Sequence, residues 1–151
     1  MFFFHKAVSL FAMARRTAKR KYAVHARKCL DKIRAWMEKG NPNVIHYESL
    51  LEAENWALKG KTFVAKKHYL SATVLATRGG FIQDAAMANE RFGEFLLEDM
   101  GEPEEAAYQF KQAAKLYEEW GAQAKADEIV RNHGHLWSLQ PSEVVIKGSV
   151  S

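Results

Sequence analysis

The sequence predicts an all-α fold in which helices pair as hairpins and the hairpins stack as an α-solenoid. Three observations support this prediction. Apolar residues recur at helical spacing through most of the 151 residues, and glycines interrupt that pattern at regular intervals. The chain has only 3 prolines, and hydrophobic residues make up 48% of it, so a helical chain with a substantial core is expected.

The first predicted hairpin lies at the N-terminus. Apolar residues step by three and four from Phe4 to Phe11 and again from Tyr22 to Trp36. The cluster Gly40-Asn41-Pro42-Asn43 then ends the second helix, because these residues favour turns and cannot continue a helix.

Two further hairpins and one helix follow. The spacing predicts helices over Ile45–Lys59 and Thr62–Thr77, with Thr62 as the N-cap, and over Phe81–Met100 and Pro103–Trp120. Gly121 breaks the chain again before a last helix over Ala122–Asn132. We therefore predict a helical-repeat domain over residues 1–137 and a flexible tail over residues 138–151.

The second and third hairpins repeat each other at a spacing of 41 residues. The matching pairs are mostly small residues, one aromatic position and the glycines of the turns: Gly60/Gly101, Ala65/Ala106, Tyr69/Phe110, Ala72/Ala113, Leu75/Leu116, Gly80/Gly121 and Ala85/Ala126. Alanines let paired helices approach closely, and such a period is typical of helical-hairpin solenoids. The small and bulky positions Ala53, Trp56, Ala65, Tyr69 and Ala72 approximate the tetratricopeptide pattern, so the unit is tetratricopeptide-like.

Seven aromatic residues are the predicted packing residues that hold the layers together. They are Trp56, Tyr69, Phe81, Phe92, Phe110, Tyr117 and Trp120. Trp120 is expected to close its helix and pack over the hairpin below it. A groove lined by the first helix of each hairpin is expected to receive a partner.

The charge is strongly uneven along the chain. Residues 1–40 carry 11 Lys and Arg against 2 acidic residues, whereas residues 41–151 carry 11 against 16. The basic cluster is Arg15, Arg16, Lys19, Arg20, Lys21, Arg27 and Lys28. It fits a solvated face or one that docks on acidic helices of the same chain, and nucleic acid, an acidic protein and an anionic lipid surface are the alternatives. The basic, acid-free N-terminus also fits a mitochondrial transit peptide as an alternative.

No motif in the sequence predicts catalysis, a metal or a cofactor. Gly60-Lys61-Thr62 ends like a phosphate-binding loop, but Asn55 stands where that loop needs another glycine. His133 and His135 have no further ligands at metal-binding spacing. The acidic pairs, Glu52/Glu54 among them, are interpreted as solvated charge on outer faces. The single Cys29 predicts no disulfide, so a cytoplasmic protein is expected, and no run of apolar residues is long enough to span a membrane.

Three segments resemble a known family. Residues 40–61, 69–101 and 106–129 are similar to the helical-repeat array of large multidomain signalling ATPases, in which a serine/threonine kinase-like domain, an ATPase module, a GAF sensor and a histidine kinase accompany the array. The most specific matches are Gly80-Phe81, Ala86 to Arg91, and Tyr117 to Lys125. The N-terminal stretch from Phe3 to Arg15 resembles an upstream helix of the same array, which is an alternative to the transit peptide.

The resemblance implies a non-catalytic scaffold that binds proteins and belongs to, or derives from, an ATPase-linked sensor kinase. No kinase, ATPase or sensor motif lies in these residues, so none of those activities is expected of them. The expected partners are neighbouring repeats or domains of a signalling protein. Self-association through the N-terminal hairpin is also expected, because that hairpin presents a face suited to another repeat. The alternative function is a free-standing binder of nucleic acid or an anionic surface that uses the basic N-terminal helices.

Overall fold

The computed structural model describes residues 2–40 and 45–139. This part of the chain is all-α and contains no strand. Seven α-helices run in chain order: α1 Phe2–Thr17, α2 Arg20–Glu38, α3 Ile45–Leu58, α4 Thr62–Arg78, α5 Ile82–Glu98, α6 Pro103–Trp120 and α7 Gln123–His133. A 3₁₀ helix, Gly134–Leu139, follows α7. The predicted fold class, three tetratricopeptide-like hairpins with a terminal helix, is confirmed, and the predicted helix bounds agree to within a few residues.

Glycines in the left-handed region end the helices as predicted. Gly121 has φ +95°, and its N–H donates to the carbonyl of Glu118. The next N–H, of Ala122, donates to the carbonyl of Tyr117 at 2.8 Å. These two bonds form a Schellman motif, which satisfies the last carbonyls of α6 and turns the chain at once into α7. Gly60 and Gly80 end α3 and α4 in the same way.

One detail of the predicted turns differs from the structure. Lys61 rather than Thr62 occupies the N-cap of α4, and no side chain caps that helix. Of the predicted turn cluster, Gly40 has φ +83°, while residues 41–43 lie outside the described residues. The predicted tail from residue 140 onward also lies outside them, and Ser138 and Leu139 belong to the 3₁₀ helix.

The chain divides into two compact units, residues 1–81 and 82–151. In the first unit, α1 pairs with α2 and α3 pairs with α4, and α3 also contacts both α1 and α2. Most positions of α3 are therefore buried, including every residue from Ser49 to Asn55. The largest fully buried side chains of this unit are Phe4, Phe11, Leu30, Ile33, Leu50, Leu51 and Tyr69.

In the second unit, α5 pairs with α6, and α6 also packs against α7 and the 3₁₀ helix. Its core contains Phe95, Leu96, Phe110 and Ile129. The 41-residue repeat has a structural counterpart, since Ala65 and Ala72 of α4 and their equivalents Ala106 and Ala113 of α6 are all fully buried. Small side chains at these positions let each hairpin close tightly.

Candidate protein-interaction surfaces

The first candidate surface lies on α2. Arg20, Lys21, Val24, His25 and Lys28 are exposed and together line a shallow, open groove. Their spacing of one, four, five and eight residues places them on one side of the helix. We call these five residues the α2 basic surface.

The predicted basic cluster does not form a single face. Arg16 and Lys19 are exposed near the corner between α1 and α2, whereas Arg15 is half-buried. Arg27 points toward α3, where its Nε donates to Oδ1 of Asn55 at 2.7 Å. Arg27 therefore fixes α2 on α3, and only part of the predicted cluster is available to a partner.

Glu52 and Glu54 of α3 are buried, and this corrects their interpretation as solvated surface charge. Glu54 is 1% exposed and accepts a hydrogen bond from the Tyr69 hydroxyl at 2.8 Å. Glu52 is 8% exposed, pairs with Arg34 of α2, and accepts a hydrogen bond from the indole N–H of Trp56 at 3.2 Å. Buried carboxylates need such partners, because an unpaired buried charge is costly. The two acids thus link α3 to α2 and to α4.

The second candidate surface lies on α4. Phe63 is 73% exposed and Leu70 is 54% exposed, and Val74 lies on the same side of the helix. Lys67 and Arg78 continue this stripe, and an open groove runs along it. We call Phe63, Lys67, Leu70, Val74 and Arg78 the α4 apolar surface.

The sequence predicts that the N-terminal hairpin self-associates through an exposed face. Among the side chains of α1 that the structure describes, residues 3–17, none is an exposed large apolar residue. The apolar side of α1 is turned inward, since Phe4, Phe11 and Ala14 are all buried. The exposed apolar residues of the first unit are concentrated on α4 instead.

The third candidate surface lies on α6 and is acidic. Glu104 and Glu105 are exposed in its first turn, and Glu118 and Glu119 are exposed in its last. Tyr108 and Trp120 add aromatic rings that are each 52% exposed. We call these six residues the α6 acidic surface.

The predicted packing aromatics divide into three groups. Tyr69, Phe92, Phe110 and Tyr117 are buried, and Trp56 is half-buried. Phe81 is 36% exposed, but its ring stacks on the imidazole of His46 with centroids 4.5 Å apart. Trp120 is half-exposed, and this corrects the expectation that it packs over a hairpin, because α6 ends at Trp120 with that position on its solvent side.

At the centre of the second unit, a buried aromatic ring is packed tightly between neighbouring helices. Gly93 of α5 faces Phe110 of α6, and a Cβ at residue 93 would lie 2.8 Å from the ring. The imidazole of His133 stacks on the same ring with centroids 3.7 Å apart and planes 5° from parallel. Burial lowers the pKa of His133, while the carboxylate of Glu90 acts in the opposite direction. His133 is thus a packing residue that favours its neutral form.

A polar link joins three helices of the same unit. The hydroxyl of Tyr117 on α6 donates to Oε1 of Glu90 on α5 at 2.9 Å. Nζ of Lys125 on α7 lies 3.3 Å from Oε2 of the same carboxylate. Burial, followed by the charge of Glu90, raises the pKa of Tyr117, so its hydroxyl stays protonated as the donor.

The sites that would carry other chemistry have structural roles. The N–H groups of Gly60 and Lys61 donate to the carbonyls of Ala57 and Trp56, so they serve the end of α3 instead of a phosphate. Among the described residues, no group of three or more His, Cys, Asp or Glu side chains could hold a metal ion. Within that same part of the chain, no helix is both long enough and apolar enough to cross a membrane. Cys29 is buried.

The groove expected along the first helix of each hairpin is not a feature of the exposed surface. α3 is buried at most positions, and ten residues of α5 are buried as well. The three candidate surfaces instead lie on α2, α4 and α6, the second helices of the hairpins. Sequence reasoning found the basic residues of α2 and interpreted the acidic pairs of α6 as solvated charge, which their exposure confirms, but it did not single out the exposed apolar residues of α4.

A family model decides the class of this protein. The model of the soluble NSF attachment protein family, SNAP, matches residues 4–141, which is most of the chain. The chain belongs to the SNAP family. No curated protein and no solved structure matches it.

Membership of the SNAP family agrees with the observed helical hairpins and identifies the chain as a helical protein-interaction scaffold. The comparisons do not match the chain to the multidomain signalling ATPases that three of its segments resemble. What the family match and the structure show is the helical-repeat character of the chain.

Proposed function

We propose that this protein is a non-catalytic scaffold that binds an acidic protein through the α2 basic surface. The observation that carries the proposal is the exposed row of Arg20, Lys21, His25 and Lys28 on one side of α2, in a chain of the SNAP family. The family name describes attachment to a protein, NSF. We propose attachment to a protein as the role here, without specifying that partner.

The α2 basic surface is well suited to binding because its helix is held in place from behind. Arg34 of α2 pairs with Glu52 of α3, and Arg27 of α2 donates to Asn55 of α3. Ile33 and Leu30 are fully buried on the inward side. A surface that is already ordered loses little conformational entropy when a partner binds.

The chemistry of the surface indicates the kind of partner. Residues 20–28 extend for about 12 Å along the helix, at 1.5 Å per residue. Val24 lies among the cations and offers an apolar contact, as the centres of protein interfaces do. An acidic helix or loop with an apolar residue between its carboxylates would match this pattern, and the charges would speed association and make it sensitive to salt.

Nucleic acid or an anionic lipid surface is the second candidate, since the same cations could contact phosphates. If each of three or four cations displaced a counterion, the logarithm of the binding constant for a nucleic acid would fall with the logarithm of salt concentration with a slope of about −3. The protein-binding proposal expects only weak binding of nucleic acid, lost near physiological ionic strength.

The finer proposal is that the scaffold belongs to, or derives from, an ATPase-linked sensor kinase and relays conformation between its neighbours. The resemblance of residues 40–61, 69–101 and 106–129 to the repeat array of such proteins supports it. An antibody against residues 100–125 tests it on a cell extract. A band well above about 100 kDa would fit a chain of several domains, and a band near 17.2 kDa would contradict the proposal that the scaffold belongs to a larger kinase.

Site-specific photo-crosslinking tests the proposed binding surface. A photoreactive phenylalanine analogue replaces Val24 in the full chain, and the matched control carries it at Val130, an exposed apolar position on α7. We expect a discrete protein adduct from position 24 that the control does not give. Adducts formed only with nucleic acid or lipid at position 24, or ATP turnover by the purified chain, would overturn the proposal.

A further inference from the structure

The α4 apolar surface is the most apolar exposed helix face among the described residues. Phe63, Leu70 and Val74 share one side of α4 with Lys67 and Arg78. The helix, Thr62–Arg78, contains no acidic residue. A contiguous apolar stripe flanked by charge of one sign is typical of an interaction surface.

The internal repeat shows that the hairpin does not need this stripe. A shift of 41 residues places Glu104, Glu105, Lys115 and Glu119 of α6 at the positions of Phe63, Val64, Val74 and Arg78 of α4. The buried positions of the two helices agree, whereas the positions of Phe63, Val64 and Val74 carry charged residues in α6, and the position of Arg78 carries the opposite charge. The apolar side chains on α4 are therefore not explained by packing within their own hairpin.

The two units carry opposite charge. Residues 1–81 contain 16 Lys and Arg against 5 Asp and Glu, a net charge of +11, whereas residues 82–151 contain 6 against 13, a net charge of −7. Locally, Lys67 and Arg78 of the α4 apolar surface are opposite in charge to the four carboxylates of the α6 acidic surface, and both surfaces present exposed apolar or aromatic side chains. Complementary potentials favour docking of one surface on the other in a second molecule.

The spacing of the two surfaces also agrees. Phe63 and Arg78 are separated by 15 residues on α4, and Glu105 and Trp120 are separated by 15 residues on α6. Each pair spans about 22 Å at 1.5 Å per residue. With the helices antiparallel, Trp120 would contact Phe63 at one end while Glu105 paired with Arg78 at the other. Tyr108 would then lie near Val74.

We propose that the protein self-associates, with the α4 apolar surface of one copy bound to the α6 acidic surface of another. The two surfaces are not identical, so each copy carries one of each kind and the contact is heterologous. The proposal goes beyond the binding of an acidic protein at the α2 basic surface and does not depend on it, because α2 contributes no residue to the contact.

Sedimentation velocity of the full chain tests the proposal over a wide range of concentrations. We expect mass to increase with concentration and the increase to weaken at high salt. Leu70→Asp should raise the dissociation constant at least about tenfold, since a charge replaces a central apolar contact. The matched control, Val130→Asp, places the same charge at an exposed apolar position of α7 and should leave association unchanged.

A charge-swap pair separates a specific contact from misfolding. Arg78→Glu damages only the α4 surface, and Glu105→Arg damages only the α6 surface. Each variant alone should associate weakly, whereas a mixture should associate more strongly than either, because it contains the intact pair of surfaces and also the pair in which both charges are exchanged. A wild-type chain that stays monomeric, Leu70→Asp and Val130→Asp variants that associate alike, or a mixture that fails to combine would overturn the proposal.

Discussion

The contact between Gly93 and Phe110 gives the sharpest stability prediction for this protein. In Gly93→Ala, the new Cβ would lie 2.8 to 3.0 Å from three atoms of the Phe110 ring, closer than real Cβ atoms approach. The ring has little room to retreat, because it is fully buried and the imidazole of His133 stacks on it at 3.7 Å. The methyl group therefore forces α5 and α6 apart or tilts the ring out of its stack.

Two opposing effects set the magnitude. Alanine is favoured over glycine within a helix by about 1 kcal/mol, which stabilises the variant. Overpacking a tight core costs about 1 to 3 kcal/mol, and a fully buried, stacked ring places Gly93→Ala near the upper end. We expect a net loss of about 2 kcal/mol in the free energy of unfolding of the second unit.

Urea unfolding followed by circular dichroism measures this loss, with Gly93→Ala, Phe110→Leu and the double variant compared with wild type. Leucine lacks two of the three ring atoms that the methyl group meets, Cε1 and Cζ, so the double variant should be less destabilised than the sum of the single variants. A Gly93→Ala variant as stable as wild type, or more stable, would refute the reasoning, because it would show that the ring relaxes at no cost.

Three further predictions follow from the structure. Tyr69→Phe removes the donor to buried Glu54 and should lower the free energy of unfolding of the first unit by about 1 to 3 kcal/mol in urea titrations, and an unchanged value would contradict the hydrogen bond. The pKa of His133 is lower in the folded protein than the ordinary histidine value of 6.5, so the unfolded chain binds the proton more readily. Neutral His133 therefore contributes its full stabilisation above pH 6.5, and this contribution is lost as pH falls below 6.5. His133→Phe should lose less stability than wild type between pH 7 and pH 5, and an equal loss in the two proteins would refute the assignment. Gly121→Ala should cost about 1 to 2 kcal/mol through its left-handed backbone alone, since a Cβ there meets nothing within 4 Å, and a thermal melt like that of wild type would contradict this.

The order and bounds of the helices could be predicted because the signals are local. The turn glycines at positions 60, 80, 101 and 121 all adopt positive φ, and they mark helix ends without knowledge of the tertiary structure. The buried alanines of α4 and α6 repeat at 41 residues, which revealed the hairpins. Helix periodicity therefore predicted the order of the helices and most of their bounds.

The polar interior could not be predicted in the same way. Glu52 and Glu54 have the composition of a solvated helix face, and only the side chains of Arg34 and Tyr69 on neighbouring helices explain their burial. Those contacts join residues 15 to 18 positions apart in sequence, and periodicity within one helix does not reveal them. The exposed position of Trp120 likewise depends on where α6 ends relative to its buried side.

The candidate surfaces were only partly predictable for the same reason. The basic residues near the N-terminus were evident, but the structure separates Arg27, which binds Asn55, from Arg20, Lys21 and Lys28, which face solvent. Charge counts alone do not distinguish a cation that holds two helices together from one that is available to a partner. That distinction sets the choice of variants for a binding experiment.

The central claim is that the α2 basic surface binds a protein, and co-purification tests it most directly. The full chain is used as bait in a nuclease-treated extract, as wild type, as the variant Arg20→Glu/Lys21→Glu/Lys28→Glu, and as a control with the same charge change at exposed Lys39, Lys115 and Arg131. We predict that one protein is retained by the wild type and by the control and is lost from the α2 variant. Equal retention by all three baits, or retention seen only when the nuclease treatment is omitted, would contradict the account.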